Sequence, residues 1–283
     1  MNIVYFGTDV FLESFRYIAD HHHILKLFTY HNDEDFFTEY GIIKEAESRG
    51  IPYSYEQITK EEIKSFFLEK ECDLFFIAEY SSILDIPDDL PSFRGINIHS
   101  SLLPVGRSYY PIECAMERDC SQIGVTMHKL ISKLDAGDIL FQKSIENCPE
   151  IDSIDVYLRF GAFALEMTKK LFADPKAVFN AGIPQKEHLP YWKRPATELL
   201  TLSHEMTYEE AKSVYRKFNS MTEVVLNGTR YFVKAMMYGK TDLPKNEWIL
   251  SDTLALYGIR DGHLRLVIHP SESNHSNTGR KSK

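Results

Sequence analysis

Apolar residues gather early in this chain in short unbroken runs, and amphipathic stretches separate them. NIVYFG (2–7) is a compact apolar run closed by a glycine, the pattern of a parallel strand buried on both faces. In DVFLESFRYIAD, Phe11, Leu12, Phe15 and Ile18 fall at helical spacing. ILKLFTY (24–30) predicts a second strand. DEDFFTEYGIIKEAESRG predicts a helix, or a helix and a loop, stopped by Gly50. KEEIKSFFLEK predicts a helix, DLFFIAEY (73–80) a strand and GINIHS (95–100) another. Strand–helix alternation of this kind predicts an α/β fold with a right-handed, doubly wound, mostly parallel sheet. Ligands of such sheets sit beyond the carboxyl ends of the strands, which puts Gly7–Thr8, 78–82 and 97–101 on one edge.

After Pro111 the pattern predicts a helix in IECAMER, then strands QIGVTMHKL and DILFQKSIE around the loop ISKLDAG. SIDVYLRFGAFALEMTKKLFAD is a long amphipathic helix that Asp174-Pro175 ends. From about Met206 the texture changes. A short helix, TYEEAKSVYRKF, leads into two β-rich segments with the turn dipeptides Asn227-Gly228 and Asp261-Gly262, so both predict hairpins. The expected organisation is a domain over 1–200, a small β-rich domain or extension over 201–270, and a polar, low-complexity, disordered tail over 271–283.

Composition narrows the function classes. The 283 residues suffice for a sizeable core without staples, and 43% apolar with 26% charged residues is ordinary for a soluble globular protein. A net charge of −9 argues against nucleic-acid binding, which needs clustered Lys and Arg. The four cysteines (Cys72, Cys114, Cys120, Cys148) form no C-x-x-C pair and fit a reducing cytosol. The N-terminus has no signal-peptide pattern, and no apolar run approaches the ~20 residues of a membrane span. The expected location is therefore cytoplasmic, away from membranes.

Three polar residues stand where chemistry could occur. Asn97 and His99 are two apart in NIHS and share one face of a strand, while Ile96 and Ile98 face a core. Asp135 lies on the glycine-containing loop of KLDAGD. A carboxamide, an imidazole and a carboxylate brought together would make a general acid/base site with a donor for an oxyanion. Spacing alone does not bring Asp135 to His99. By itself the histidine reads as a structural residue, and Asp135 and Asn97 as turn formers. His99, His128 and Asp135 could instead ligate a metal, but no ligand spacing supports that, and no metal is expected. His21, His22, His23 and His31 read as solvated. GTDVFL lacks the G-x-G-x-x-G fingerprint, so a standard NAD or FAD site is not expected.

Taken in order, several segments resemble the formyltransferases that use 10-formyltetrahydrofolate. NIHSSLLP resembles the family's Asn-x-His-x-Ser-Leu-Leu-Pro, and GVTMHKLISKLDAGDIL its Gly-Val-Thr-x-His…Leu-Asp-x-Gly, with His99 and Asp135 at the family's separation. VYFGTDVF resembles its opening strand and FFIAEYSSILDIPDDLP its folate loop. The resemblance covers about 1–173 and implies a Rossmann-like catalytic domain. It implies Asn97, His99 and Asp135 as the catalytic trio. An amine would attack the formyl carbon, with Asn97 and protonated His99 at the oxyanion. Asp135 would hold a water or His99 and help carry the proton. It further implies 10-formyltetrahydrofolate as co-substrate, held by Ala78, Glu79, Tyr80, Ser82, Ile83 and Leu84 and by Ile131, Leu134 and Asp135. Thr126 falls at a family active-site position.

The acceptor in this family is methionyl-tRNA, glycinamide ribonucleotide or a nucleotide-linked amino sugar. The C-terminal extension disfavours the second. The acidic stretch YHNDEDFFTEYGIIKEAE, where the tRNA enzymes carry a basic insertion, disfavours the first. A nucleotide sugar needs few cations, and Arg107, Lys193 and Arg194 are candidates, with Tyr109, Tyr110, Tyr191 and Trp192 to stack on a base or sugar. Thr8, Ser100 and Ser108 complete the expected acceptor site. Each aromatic alone reads more readily as packing, and VGRSYYP departs from the family's usual aromatic-Arg-Gly. The expected activity is formylation of a dTDP- or UDP-linked amino sugar by a homodimer serving surface-polysaccharide (lipopolysaccharide) synthesis. Methionyl-tRNA formylation, and a non-catalytic folate- or nucleotide-binding protein, are the alternatives.

Overall fold

The computed structural model describes residues 1–31, 38–87, 89–91, 93–186, 189–240 and 246–270, apart from the Ser220 side chain. Residues 32–37, which hold the first five residues of the segment DEDFFTEYGIIKEAESRG, and the expected tail 271–283 lie outside the described residues. By internal contacts the described chain divides into two units, one ending at Arg194 and one beginning at Pro195.

The first unit is built on seven strands: β1 (Asn2–Gly7), β2 (His23–Phe28), β3 (Tyr53–Ser54), β4 (Leu74–Ala78), β5 (Gly95–His99), β6 (Gln122–Lys129) and β7 (Ile139–Glu146). Their order is β3-β2-β1-β4-β5-β6-β7. The strands from β3 to β5 pair in parallel, and β6 and β7 run antiparallel. The chain winds outward from β1 to β3, then returns to β1's other side with β4. The crevice beyond β1 and β4 is the usual ligand position of such sheets.

Helices α1 (Leu12–His21), α2 (Tyr40–Ser48), α3 (Lys60–Leu68), α4 (Pro111–Glu117), α5 (Ser153–Ala173) and α6 (Pro175–Asn180) accompany the sheet. Alternation along the strands separates two cores. Ile3, Tyr5, Phe76, Ile96 and Ile98 pack with Phe15, Ile18, Phe160 and Leu171 of α1 and α5. Val4, Phe6, Phe75 and Ile77 pack with Ile63, Phe66 and Phe67 of α3. With both faces covered, the central strands must be apolar throughout, which is why they appear as unbroken runs.

Polar side chains fix the helix ends. Thr59 and Glu62 form a capping box at the start of α3. Asp9 accepts from Gly41 N (3.0 Å) and Ile42 N (2.7 Å), so a residue just past β1 caps α2 from a distance. Asp174 ends α5, and its carboxylate accepts from Ala177 N at 3.0 Å to start α6.

The second unit contains α7 (Thr197–Leu200), α8 (Tyr208–Phe218) and strands β8 (Glu223–Leu226), β9 (Thr229–Gly239), β10 (Glu247–Ser251), β11 (Leu254–Ile259) and β12 (Gly262–Pro270). These form an antiparallel sheet ordered β10-β11-β12-β9-β8. Asn227 (φ 50°) and Gly228 (φ 79°) make the two-residue turn expected there. At the second hairpin the turn residues are Arg260 and Asp261, one position earlier than the Asp-Gly dipeptide indicated, because Gly262 pairs with Ile259 inside the ladder. That glycine serves a close approach: a Cβ on it would stand 2.4 Å from the Gly239 carbonyl oxygen.

A glycine also shapes the edge of the main sheet. A Cβ on Gly7 would stand 2.2 Å from the Ala78 carbonyl oxygen, so β1 and β4 close together at their carboxyl ends only if that side chain is absent. Gly7→Ala should therefore lower folding stability by roughly 2 kcal/mol or more through overpacking. Urea unfolding checks this, and an unchanged midpoint would contradict it.

Candidate active site

Beyond the parallel strands the sheet reverses direction, and that reversal assembles the polar cluster. In the β5–β6 register Asn97 pairs with His128 and His99 with Thr126. All four side chains thus share one face, opposite Ile96 and Ile98. The loop between β6 and β7 then returns Asp135 over them. Asp135 Oδ1 stands 3.9 Å from His99 Nδ1, 3.8 Å from His128 Nε2 and 3.5 Å from Asn97 Nδ2. Asn97, His99 and Asp135 are brought together as expected, and His99 and Asp135 are buried.

Hydrogen bonds fix the orientation of each ring. His128 Nδ1–H donates to Lys129 O at 2.8 Å, which leaves Nε2 to accept from Asn97 Nδ2 at 3.2 Å. The amide nitrogen of Asn97 must therefore face His128. One of its N–H groups is used there, and the second points toward Asp135 at the limit of hydrogen-bond length. His99 Nε2–H donates to Gly106 O at 3.1 Å, which leaves Nδ1 on the side of Asp135. Gly106 has φ 80°, a conformation that lets the loop turn its carbonyl back onto the imidazole.

His128 is the residue that the sequence presented only as a metal ligand. Its burial pushes its pKa down to about 4, opposed by the neighbouring Asp135 carboxylate, so it acts as a neutral acceptor that orients Asn97. Among the described residues no group of three or more His, Cys, Asp or Glu could hold a metal ion. Thr126 is also structural at its hydroxyl. Its Oγ1 donates to Ser101 O (2.6 Å) and accepts from Leu103 N (3.2 Å) and Gln142 Nε2 (2.9 Å), pinning the turn that follows His99.

Two loops flank the cluster, and each carries one residue in the left-handed region: Glu79 (φ 65°) after β4 and Asp135 (φ 49°) before β7. Such strain in residues other than glycine concentrates at functional sites. In the first loop Ala78 and Leu84 are buried, the Tyr80 ring packs 5.3 Å from Phe6, and Ser82 is half-buried. Ile83 is exposed, and its carbonyl accepts from Gln57. In the second, Ile131 and Leu134 are exposed.

Two of the four aromatic residues expected to stack on an acceptor, Tyr109 and Tyr191, make a contact that the sequence did not reveal. The Tyr109 hydroxyl donates to Ser81 O, in the first loop. The Tyr191 hydroxyl donates to Leu134 O at 2.8 Å, in the second. Both rings stay exposed.

The expected cations differ in their placement. Arg107 is 1% exposed, with its guanidinium 6.0 Å from the Tyr191 ring and its Nε without a hydrogen-bond partner. Arg194 is exposed and lies 5.5 Å from the Tyr110 ring, and Lys193 is exposed. Ser108 Oγ accepts from Tyr110 N at 3.1 Å. Thr8 and Ser100 are fully buried, and their hydroxyls have no hydrogen-bond partner.

The neutral state of His128 has a consequence for stability. The unfolded chain protonates this histidine near 6.5, whereas the fold resists protonation to about 4. The unfolded state then binds the extra proton, so stability falls as pH drops from about 6.5 toward 4, by about 3 kcal/mol in all. His128→Gln, which retains an acceptor for Asn97, should lose less over that window. Equal losses in urea titrations of both proteins would contradict this.

Comparison with known proteins agrees with the cluster. Residues 31–168 match the family model described as formyl transferase. The chain is 28% identical over 206 residues to the methionyl-tRNA formyltransferase of Thermotoga maritima, covering 69% of this chain and 63% of that protein. It thus spans less than two thirds of that relative. In fold it resembles the N-formyltransferase of Helicobacter canadensis in complex with folinic acid and dTDP-3-aminofucose, with a TM-score of 0.60, 16% identity, and 94% of this chain and 98% of that one covered. HypX of Aquifex aeolicus in complex with tetrahydrofolic acid gives a TM-score of 0.64 at 17% identity, over 93% of this chain and 43% of that one. The polar cluster at the sheet edge thus lies within the segment, 31–168, that is similar to the formyl transferase model.

Proposed function

We propose that the protein transfers a formyl group from 10-formyltetrahydrofolate to the amine of a nucleotide-linked amino sugar. The observation that carries the formyl-transfer reading is the convergence of Asn97, His99 and Asp135 at one strand edge, inside the segment that matches the family. In the reaction a bond forms between the acceptor nitrogen and the formyl carbon, and the bond from that carbon to the folate nitrogen breaks. The amine proton must reach the departing nitrogen. His99 Nδ1 and the Asp135 carboxylate are the groups disposed to take it and return it. The second N–H of Asn97 is the donor for the tetrahedral oxyanion, since His128 holds the other. The loops around Glu79 and Leu134 supply backbone groups for the pterin.

Three observations favour the sugar acceptor. The net charge of −9 opposes binding of a polyanion. The fold likeness to the sugar enzyme named above runs over nearly its whole length. Exposed aromatic rings stand on both loops beside the cluster. The second reading, methionyl-tRNA formylation, is favoured by the sequence relatives, which are 28–35% identical to this chain.

Incubating the protein with 10-formyltetrahydrofolate and a panel of dTDP- and UDP-amino sugars, beside methionyl-tRNA, tests both readings by the mass gain of one formyl group. Formylation of the tRNA alone would overturn the sugar reading. His99→Ala and Asp135→Asn should each lower kcat by roughly 100-fold or more with folate affinity largely kept. Near-native turnover in either would remove the assigned chemistry.

A further inference from the structure

Asp135 holds a backbone conformation that costs a non-glycine residue on the order of 1 kcal/mol or more. Something must over-determine it. The loop's own hydrogen bond, Ala136 N to Lys133 O, is long at 3.3 Å. Gly137 brings the loop against β6, where a Cβ would stand 1.9 Å from Lys129 O, but glycine itself adds no rigidity.

Lys129 N donates to Asp138 O at 2.9 Å and the Tyr191 hydroxyl to Leu134 O at 2.8 Å, but neither reaches the carbonyl groups of Asp135 or Gly137. Those are reached from far along the chain. After α6, Ile183 exchanges two backbone bonds with Ile139 at the start of β7, at 2.8 and 2.9 Å. Two residues later the Gln185 amide reaches the catalytic loop. Its Nε2 donates to Asp135 O at 3.0 Å and to Gly137 O at 2.8 Å. Its Oε1 accepts from Arg107 Nη2 at 2.9 Å. Every strong hydrogen-bonding position of this amide has a partner except one oxygen lone pair. The two donations bracket the 136–137 peptide and hold the peptide groups on either side of it, 135–136 and 137–138. The guanidinium fixes which end of the amide faces the loop, because an arginine accepts nothing.

We propose that Gln185 is a positioning residue: it sets the backbone at Asp135, and through it the carboxylate's placement against His99. Arg107, a buried cation with no carboxylate ion partner among the described residues, serves as the anchor that orients it. Gln185 touches no reacting group and acts only through Asp135. Its kinetic part rests on the formyl-transfer reading, whereas the geometric part does not.

The test uses the full chain carrying Gln185→Met, which keeps the side chain's length and removes all three hydrogen bonds. Gln185→Glu is the second variant. It keeps the contact with Arg107 but cannot donate to the carbonyls. The separation of the Asp135 carboxylate from His99 Nδ1, 3.9 Å in the native chain, is read from a crystal structure of each folded variant. Both variants should change it by about 0.5 Å or more, because the loop loses its two amide donors. Both should also lower kcat by roughly tenfold, with KM for either substrate within about twofold.

A separation unchanged in both variants overturns the proposal whatever their activity. A change in Gln185→Met alone also overturns it, since the effect would not then reside in the two donations. If Gln185→Met does not fold, Gln185→Glu decides alone. A changed separation in a protein that transfers no formyl group upholds the positioning role and sinks the functional reading instead.

Discussion

Four polar side chains occupy one face of two neighbouring strands, and the strands run in opposite directions. Slipping β6 against β5 by a single residue would turn His128 and Thr126 toward the apolar core and bring Val125 and Met127 into their place. That pairing is what the rest of the site depends on. It gives Asn97 an acceptor, and it lets Thr126 hold the turn after His99. It also points the loop of Asp135 back across the strand ends. The parallel part of the sheet supplies the platform, and the antiparallel part supplies the returning chain.

The cluster is polar yet almost dry, so its members must satisfy one another. The neutral state of His128 is central to this. A charged imidazole there would have no acceptor to offer Asn97 and would repel a proton from His99. Because its Nδ1–H is spent on a backbone carbonyl, the asparagine amide has one permitted orientation, and its second N–H stays directed toward Asp135. On the reading proposed above, two residues would handle the proton and one would meet the oxyanion, with a fourth holding the third.

Much of the fold was legible because burial on both faces leaves its mark directly on composition. The runs at β1, β4 and β5, the long α5 and the Asn227-Gly228 turn are local patterns with local causes. β3 and β10 left no comparable mark: β3 has only two residues, and both strands lie at sheet edges where apolar side chains are not demanded. At Asp261-Gly262 the dipeptide signalled a turn, but the glycine answers to a neighbouring strand instead. In the site, Asn97 and His99 were visible as a period-two pair. The approach of Asp135 was not, since loop closure between strands has no sequence period. His128 and Thr126 have roles that exist only across the β5–β6 ladder. The hydroxyl contacts of Tyr109 and Tyr191 span 28 and 57 residues of chain, a separation at which only the folded backbone decides who meets whom.

Those two tyrosines have an implication of a thermodynamic kind. Each is a single rigid side chain with its hydroxyl bonded to a loop beside the catalytic cluster and its ring face open to solvent. A molecule that lies against the ring also biases the loop, and whatever fills the loop biases the ring. Such linkage is reciprocal: the free energy by which one occupant favours the other is the same in either order of arrival. On the reading proposed above, folate and acceptor would then sense each other's presence before their reacting atoms touch, through two phenol groups that take no part in the bond being made.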